Sequence, residues 1–427
     1  MRILITNVFL DDRGGTQLYV AELAEELLRR GHHPVVYSPI LGQVAAELTA
    51  RTVPVVSDLA SIGEAPDVIH GHHALETMSA LVRFPLAPAL YVAHDWTYRG
   101  DSAPKHPRIY RYLAVDDTLR DRLVAREGIP AERVGRTRNW VDTRRFLARP
   151  TPLPARPTRA LVFSNLASDT TFLPAIRAAC EHRGIQLDVA GLASGRAIDR
   201  PEDVLGTYDL VFAKARAAIE AMGSGCAVVL CDLVGFGALV STDRFETLRE
   251  VNFGRRCLSE PTTADAVTAA IDAYDAEDAR KVCELIRSGS SQVGVIDELI
   301  EQYEQIIAEH RTRTVDAELD GAAAAAVFGV QSKYIRSLEQ EIARLHMLAD
   351  NERSNADHAR SDADLARSDA AVASAQVGAV QADLVRAQTE LDQIKASSTF
   401  VARDRLFARA AVTRGLLPLV RRAARRR

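Results

Sequence analysis

The chain has 427 residues, of which 47% are hydrophobic and 26% charged, so a wholly disordered or fibrous protein is excluded. The length predicts two domains with an additional element rather than one small module. The net charge of −4 is unevenly distributed, since residues 397–427 contain nine arginines and one aspartate.

The cysteines and the first residues bear on where the protein resides. The five cysteines are odd in number and form no C-x-x-C pair, which argues against a disulfide framework and a zinc site. No basic segment precedes an apolar run at the start, and no run of about 18 apolar residues occurs. We therefore expect a cytoplasmic protein.

The first third of the chain alternates strand-like and helical patterns. An apolar helical repeat over residues 20–28 follows Gly14 and Gly15, and Gly31 ends it. Short apolar runs typical of buried parallel strands lie at residues 2–6, 33–37, 67–70, 89–93 and 112–115. The alternation predicts a doubly wound, Rossmann-like domain over residues 1–147.

A second domain of the same kind is predicted after a stiff linker. Residues 148–158 contain four prolines, which cannot lie inside a helix or a central strand. Beyond this linker, strand-like runs lie at residues 160–163, 186–190, 209–212 and 227–231, and helical patterns at 263–288 and 292–310. The second Rossmann-like domain is thus expected over residues 159–312.

The C-terminal part follows a heptad pattern. Apolar residues recur at spacings of three and four from Ile335 to Ile394, and only Glu352 interrupts them. We expect a long coiled coil over residues 330–396, about 90 Å as one rod, which joins copies into a homo-oligomer. A solvated single helix is the alternative, because the alanine-rich middle buries little apolar area.

The basic tail, residues 397–427, intersperses arginines with Phe400, Leu406 and Phe407. An amphipathic basic segment suits an anionic membrane surface, which would make the protein peripheral on the inner face of the membrane. Nucleic acid is a weaker alternative, since few aromatic residues are present for base stacking. A merely solvated tail is the third interpretation.

The first domain contains an ordered set of motifs. The stretch from Gly14 to His32 resembles the G-G-x-x-x-x-V-x-x-L-A-x-x-L-x-x-x-G-H opening of the retaining family 4 glycosyltransferases. Residues 67–72, 93–95, 128–130 and 139–146 are similar to that family's D-V-I-H-x-H, H-D, G-I-P and N-G-V-D-x-x-x-F motifs. The resemblance implies a GT-B fold, in which two Rossmann-like domains enclose a nucleotide-sugar site.

The second domain resembles the family only in part. Residues 217–229 are similar to its nucleotide-binding segment, and Glu220 matches the second glutamate of the E-x7-E motif, which contacts the donor ribose. Phe212 stands where the first glutamate is expected. The Arg and Lys that follow the first strand of this domain in the family are absent. Lys214 and Arg216 are the nearest cations.

The chemistry of sugar transfer explains why these residue types are useful. Transfer from a nucleotide sugar builds negative charge on the leaving diphosphate, which cations or helix N-termini can stabilise. We expect His94, Asp95 and Lys214 to be catalytic, and the donor to be bound by a second set, namely Gly14, Gly15, Asn139, Arg216, Glu220 and Gly225. Since fixed cations can replace a metal and no Asp-x-Asp pair follows a strand, no metal or other cofactor is expected.

Each of these residues also has a structural interpretation. Gly14 and Gly15 could form a tight turn, and His94 could be a hydrogen-bonded structural histidine. Lys214 could be solvated, and Glu220 could pair with Arg216 one helical turn earlier. The histidines at 70, 72 and 73 share one short loop without a fourth ligand, which disfavours a metal cluster.

The first functional hypothesis is a retaining, hexosyltransferase-like enzyme that moves a sugar from a nucleotide-sugar donor to a glycan or lipid-linked acceptor in bacterial cell-surface polysaccharide synthesis. The second is a catalytically lapsed module that binds glycan or nucleotide and serves as a scaffold through its coiled coil. A sugar-nucleotide epimerase would share the architecture but would not explain the N-G-V-D-like stretch.

Overall fold

A computed structural model describes residues 1–94, 101–361 and 367–396 of the chain. The first domain contains strands β1 Arg2–Thr6, β2 Phe9–Leu10, β3 His33–Tyr37, β4 Ile40–Leu41, β5 Val55–Val56, β6 Val68–Gly71, β7 Ala89–Ala93, β8 Ile109–Ala114 and β9 Val134–Arg136. Its helices are α1 Gly15–Arg29, α2 Gln43–Ala50, α3 Ala74–Arg83 and α4 Asp117–Asp121.

Within the described residues, seven strands of the first domain form one parallel sheet in the order β5-β3-β1-β6-β7-β8-β9. Strands β3 and β5 are added on one side of β1, and strands β6 to β9 are added on its other side. The order therefore reverses between β1 and β6. Ligands of doubly wound sheets bind outside the carboxyl ends of the strands at such a switch point.

The second domain repeats this plan after the proline-rich linker. Its strands are β10 Arg159–Phe163, β11 Gln186–Ala190, β12 Leu210–Ala213, β13 Ala227–Asp232 and β14 Gly235–Leu239. Its helices are α5 Leu173–Arg183, α6 Pro201–Val204, α7 Ala215–Gly223, α8 Phe245–Glu250, α9 Ala264–Asp272 and α10 Ala276–Gly289. The strand order is β11-β10-β12-β13-β14, with β14 antiparallel, so the switch point lies between β10 and β12.

Helix α11, Gln292–Arg311, crosses back to the first domain. Its buried residues Ile296, Leu299 and Tyr303 belong to the same hydrophobic core as Ile3 and Val20. The predicted helix is therefore present, but it completes the first domain. The segment 159–312 is therefore continuous in sequence, but its last helix packs in the core of the first domain.

Two long helices follow, α12 Ala317–Ser361 and α13 Arg367–Ala396. Ile342 of α12 is buried against Ala387 and Leu391 of α13, and the Nε2 atoms of Gln388 and His346 lie 3.3 Å apart. The few residues that join the helices reach at most about 20 Å, so helices that pack at these positions must run antiparallel.

The helical prediction for residues 330–396 is thus confirmed in the described residues, and the helix begins earlier, at Ala317. The prediction of one continuous rod of about 90 Å is wrong. The large apolar residues that flank the alanine-rich middle pair with one another within a single chain. Among the described helices, none is long and apolar enough to cross a membrane.

The first long helix is attached to the first domain. Tyr334 of α12 is buried against Leu75 of α3. The Arg108 Nε donates a 2.7 Å hydrogen bond to Asp320 Oδ2, and the Arg108 guanidinium also donates to three carbonyl oxygens that follow or end α3. These contacts fix the start of α12 on the α/β body.

Candidate active site

The predicted glycine pair lies at the switch point of the first sheet. Gly14 precedes α1 with extended backbone, at φ −86° and ψ 170°, and no side chain caps the helix. A Cβ atom on Gly15 would meet no heavy atom within 4 Å. Neither glycine has the positive φ of a left-handed turn, and a Cβ atom on Gly14 would lie 2.5 Å from Gln17 Oε1, so close packing of the Gln17 side chain explains Gly14.

His94 follows β7 and contacts a second histidine. Its Nε2 lies 2.9 Å from Nδ1 of His72, and the Tyr19 ring packs edge-on against it with ring centroids 4.8 Å apart. His70 Nδ1 lies 2.6 Å from the Tyr303 hydroxyl. The predicted catalytic histidine is therefore the half-buried member of a histidine cluster at the sheet edge.

Burial sets the charge of the two inner histidines. Desolvation, reinforced by His94, lowers the pKa of His70 to about 3. The pKa of His72 is also well below its usual value, because of burial first and the neighbouring histidines second. Both rings are therefore neutral at pH 7. The contact between His94 and His72 is a hydrogen bond in which His72 carries no charge.

Asp95, the second residue predicted to be catalytic in this domain, lies outside the described residues. The backbone N–H of His94 donates to the carboxylate of Asp101, which is buried. Asp101 also lies 3.4 Å from the Tyr91 hydroxyl. No local pattern in the sequence distinguishes Asp101, because it lies in a polar stretch without periodicity.

Lys214 lies at the switch point of the second sheet, between β12 and α7. Its Nζ forms an ion pair with Asp232, a buried carboxylate at the end of β13. The Ser164 hydroxyl, just after β10, donates to Asp232 Oδ1 at 3.1 Å. The Lys214 side chain is 38% exposed, so it can reach a ligand, but Asp232 already balances part of its charge.

The backbone after Lys214 is strained. Ala215, the first residue of α7, has a φ of +48°, a conformation that costs about 1–3 kcal/mol outside glycine. Its N–H donates to the carbonyl oxygen of Phe253 at 2.8 Å, and Phe253 also has a positive φ. The loop before Gly254 therefore holds the start of α7 in place at the sheet edge.

Arg216 and Glu220 pair on the same face of α7. Arg216 Nε donates to Glu220 Oε1 at 2.8 Å, which is the i to i+4 pairing expected as the structural interpretation. The Arg216 guanidinium also donates to Glu22 of α1, in the first domain. Glu220 is 6% exposed, and burial raises the pKa of its carboxyl while Arg216 opposes the rise.

Glu22 of α1 is a functional candidate that the sequence does not predict. Trp140 Nε1 donates to Glu22 Oε2 at 2.7 Å, and Arg145 reaches Glu22 at 3.3 Å and Glu202 of α6 at 2.8 Å. These residues connect α1, the segment before the linker and the second domain. Glu22 occupies a variable position of the opening motif, so no spacing distinguishes it from a solvated glutamate.

Asn139 is placed between the two domains. Its backbone N–H donates to Asn252 Oδ1 at 3.1 Å, and its carbonyl oxygen accepts from Arg249 at 3.2 Å. Burial lowers the pKa of Arg249 to about 10. The structure thus gives the backbone of Asn139 a role in joining the domains, while its side chain is half-buried.

Gly225 does not lie near the other residues that were predicted to bind the donor. It has a φ of +89° and ends α7, so it lies near the start of β13, at the opposite edge from Lys214. A Cβ atom there would lie 3.0 Å from the Arg149 side chain, which explains the glycine structurally. Phe212 is fully buried in β12 and offers no charge in place of the first glutamate.

In the part of the chain that the structure describes, no three His, Cys, Asp or Glu side chains converge as metal ligands do. His70, His72 and His94 contact one another and aromatic rings instead. The expectation of a metal-free reaction stays a prediction.

Comparison with known families and solved structures shows what the chain resembles. Residues 13–145 match the family model described as Glycosyltransferase Family 4. The parallel-sheet domains have the GT-B fold of solved glycosyltransferases. The prediction of family resemblance and fold class is thus confirmed.

Individual structures show how far the similarity extends. A glycosyltransferase from Rickettsia africae has a TM-score of 0.52 and 15% identity, and the match covers 72% of this chain and 98% of that chain. The Anabaena protein HepE, solved in complex with UDP, has a TM-score of 0.53 and 14% identity, over 71% of this chain and 100% of that chain. A comparison with curated protein sequences finds no significant match.

Proposed function

We propose that the protein is a glycosyltransferase that moves a sugar from a nucleotide-sugar donor to a glycan or lipid-linked acceptor in bacterial cell-surface polysaccharide synthesis. The observation that best supports this proposal is the arrangement of Lys214 and Glu220 on one helix start at the switch point of the second sheet, facing α1 of the first domain through Arg216 and Glu22. A retaining, hexosyl transfer follows from the family resemblance.

The geometry suits the charge changes of the reaction. Lys214 and the start of α7 lie where we expect a diphosphate to bind, because strand ends and helix starts meet there. Glu220, one to two turns further along, offers carboxylate oxygens to ribose hydroxyls. Gly15 lies about 10 Å before Glu22 along α1. Because Glu22 contacts Arg216 of α7, the N-terminus of α1 lies close to the start of α7.

Related structures solved with a nucleotide or a nucleotide sugar support a nucleotide-sugar donor. HepE from Anabaena was also solved with UDP-glucose, at a TM-score of 0.52 and 15% identity. The likeness supports a donor of the nucleotide-sugar class, and contacts within the pocket select the base and the sugar.

The test is release of free nucleotide from a panel of UDP-, GDP-, ADP- and dTDP-sugars, which many transferases hydrolyse slowly without acceptor. We expect release from at least one donor. Glu220→Gln should weaken binding of the matching nucleoside diphosphate by about 1–3 kcal/mol, the worth of a hydrogen bond to a charged group. Glu301→Gln, on the exposed side of α11, is the matched control. Equal affinity in both variants would remove Glu220 from the site.

The second candidate function is a lapsed transferase that binds nucleotide or glycan as a scaffold. Two observations favour it: Phe212 fills the place of the first glutamate, and both nearby cations are already engaged by carboxylates, Lys214 by Asp232 and Arg216 by Glu22. Saturable nucleotide binding without any release of nucleotide from the panel would favour this alternative.

We also propose a cytoplasmic protein that associates with the inner face of the membrane through residues 397–427 and forms homo-oligomers through residues 330–396. The clustered arginines of the tail support the first part, and the heptad pattern supports the second. The antiparallel helices α12 and α13, hereafter the hairpin, already bury several of the heptad positions within one chain, so copies would have to meet on the remaining faces of the hairpin.

A further inference from the structure

Arg216 lies between two carboxylates that belong to different domains. Its Nε donates to Glu220 of its own helix at 2.8 Å, and its terminal nitrogen donates to Glu22 of α1. Glu22 is 7% exposed and Glu220 is 6% exposed, so water replaces neither contact. A cation in this position ties the orientation of Glu220 to the location of the first domain.

Arg216 is needed to balance the buried negative charge around Glu220. The groups that face Glu220 are Arg216, Glu22 and, further away, Arg145. Arg145 is itself shared between Glu22 and Glu202, and Arg200 lies 3.9 Å from Glu202 but does not reach Glu22 or Glu220, so these two buried carboxylates depend on Arg216 and Arg145. Loss of either guanidinium would leave buried negative charge unbalanced, which is strongly unfavourable.

We propose that Arg216 is a positioning residue that holds Glu220 in its donor-binding orientation by bridging it to Glu22, so that the first domain takes part in forming the donor site of the second. This inference rests on the proposed function. It assigns to Glu22 and Arg216 roles that the motifs do not contain, since Glu22 occupies a variable position of the opening motif and Arg216 lies just before the resembling segment 217–229.

The bridge has a further effect on the charge of Glu220. Burial raises the pKa of this carboxyl, Glu22 raises it again by repulsion, and Arg216 opposes both. Without Arg216, Glu220 takes up a proton at higher pH and can no longer accept hydrogen bonds through both oxygens. Without Glu22, Arg216 still balances the charge of Glu220 but is no longer held by the first domain.

The two variants therefore give different patterns in one experiment. Binding of UDP, GDP and ADP is measured by calorimetry between pH 5.5 and 8.5, using the full-length protein. For Arg216→Gln we expect the affinity to fall toward the acid end by about tenfold for each pH unit below the raised pKa of Glu220. The reason is that Glu220 must lose its proton before the nucleotide binds. For Glu22→Gln we expect weaker binding at every pH, with no added slope.

Controls separate this role from general damage. Arg144→Gln removes another contact between α1 and the segment before the linker, to Glu26, without touching Glu220, and should bind as the wild type does. Arg216→Lys should restore the flat pH profile in part. The double variant Arg216→Gln, Glu220→Gln should lose the slope. A wild-type profile in Arg216→Gln, or wild-type affinity in Glu22→Gln, would overturn the proposal.

A readout without nucleotide keeps the inference distinct from the proposed function. In Arg216→Gln, the melting temperature relative to the wild type should fall as pH rises from about 5 to 8, since Glu220 must then ionise while buried without its cation. Glu220→Gln in the same background should remove this dependence. If no nucleotide binds the wild type, the proposed function fails, and an absent pH dependence here would separately overturn the bridge.

Discussion

Lys214 is the residue whose role the structure makes easiest to separate from simple binding. Lys214 is paired with Asp232 and partly exposed. We expect its ammonium group to interact most strongly with the diphosphate when negative charge develops there in the transition state. We expect Lys214→Ala to lower turnover more than donor affinity, as measured by steady-state kinetics and calorimetry. Lys105→Ala, at an exposed lysine of the first domain, is the control. Equal losses in turnover and affinity would make Lys214 a ground-state anchor.

The buried histidines predict how stability depends on acid. The pKa of His70 is lowered to about 3 in the folded protein, against about 6.5 when unfolded, so the unfolded chain binds more protons between these values. The free energy of unfolding should fall by up to about 1.4 kcal/mol per pH unit for this group as pH drops below 6.5. His70→Gln should make the slope shallower in urea titrations between pH 6.5 and 4.5. An unchanged slope would show that His70 is charged in the folded state.

At the scale of secondary structure, the pairing of α12 with α13 gives a direct test of the hairpin. Leu391 is buried against Ile342, whereas Val385 of the same helix is 61% exposed. Leu391→Asp should separate the helices, because a buried leucine is worth about 2–5 kcal/mol, and should expose them to limited proteolysis. Val385→Asp should not.

Light scattering adds the oligomeric state to this test. A monomer in solution would exclude the homo-oligomer and would leave the pairing within one chain as the use of the buried heptad positions. Sensitivity of Val385→Asp, together with resistance of Leu391→Asp, would contradict the hairpin and favour pairing between copies.

The sequence predicted most elements because their burial follows from local pattern. The central strands read as apolar runs, since a parallel strand covered by helices on both faces needs apolar side chains throughout. Strands β2, β4, β5 and β9 were missed because two or three residues carry no periodicity. Strand β14 was missed because Gly235 and Gly237 are used for close backbone approach to residues 257–260, which no local pattern shows.

The candidate site was predictable only where it lies at strand ends. Lys214, Glu220 and His94 follow motifs or apolar strands, whereas Asp232, Asp101 and Glu22 become distinctive only through partners far along the chain. The contact of Arg216 with Glu22 spans 194 positions. Contacts of that range depend on how two domains meet, and neither composition nor spacing in one chain contains that information.

At the scale of the whole molecule, the tail predicts salt-dependent membrane binding. If residues 397–427 bind anionic lipid, each arginine near the surface contributes about 1 kcal/mol, and the attraction is screened over a Debye length of about 10 Å at 0.1 M salt. We expect the full chain to sediment with anionic vesicles at low salt and to be released as salt rises. A chain that ends at residue 396 should stay in the supernatant, as should the full chain with neutral vesicles. Sedimentation that is unaffected by the truncation would exclude the tail as the membrane contact.

The return of α11 to the first domain has a consequence for how the protein is made. The core around Ile3 and Val20 includes Tyr303 and Ile306, so it stays incomplete on the ribosome until residues 292–311 have emerged. At about 5–20 residues per second, the first 147 residues wait roughly 10–30 s for this helix. During that time the apolar surface that α11 will cover is exposed, which makes the nascent first domain a natural client for chaperones. The two domains of this protein therefore finish folding together, although the first is synthesised well before the second.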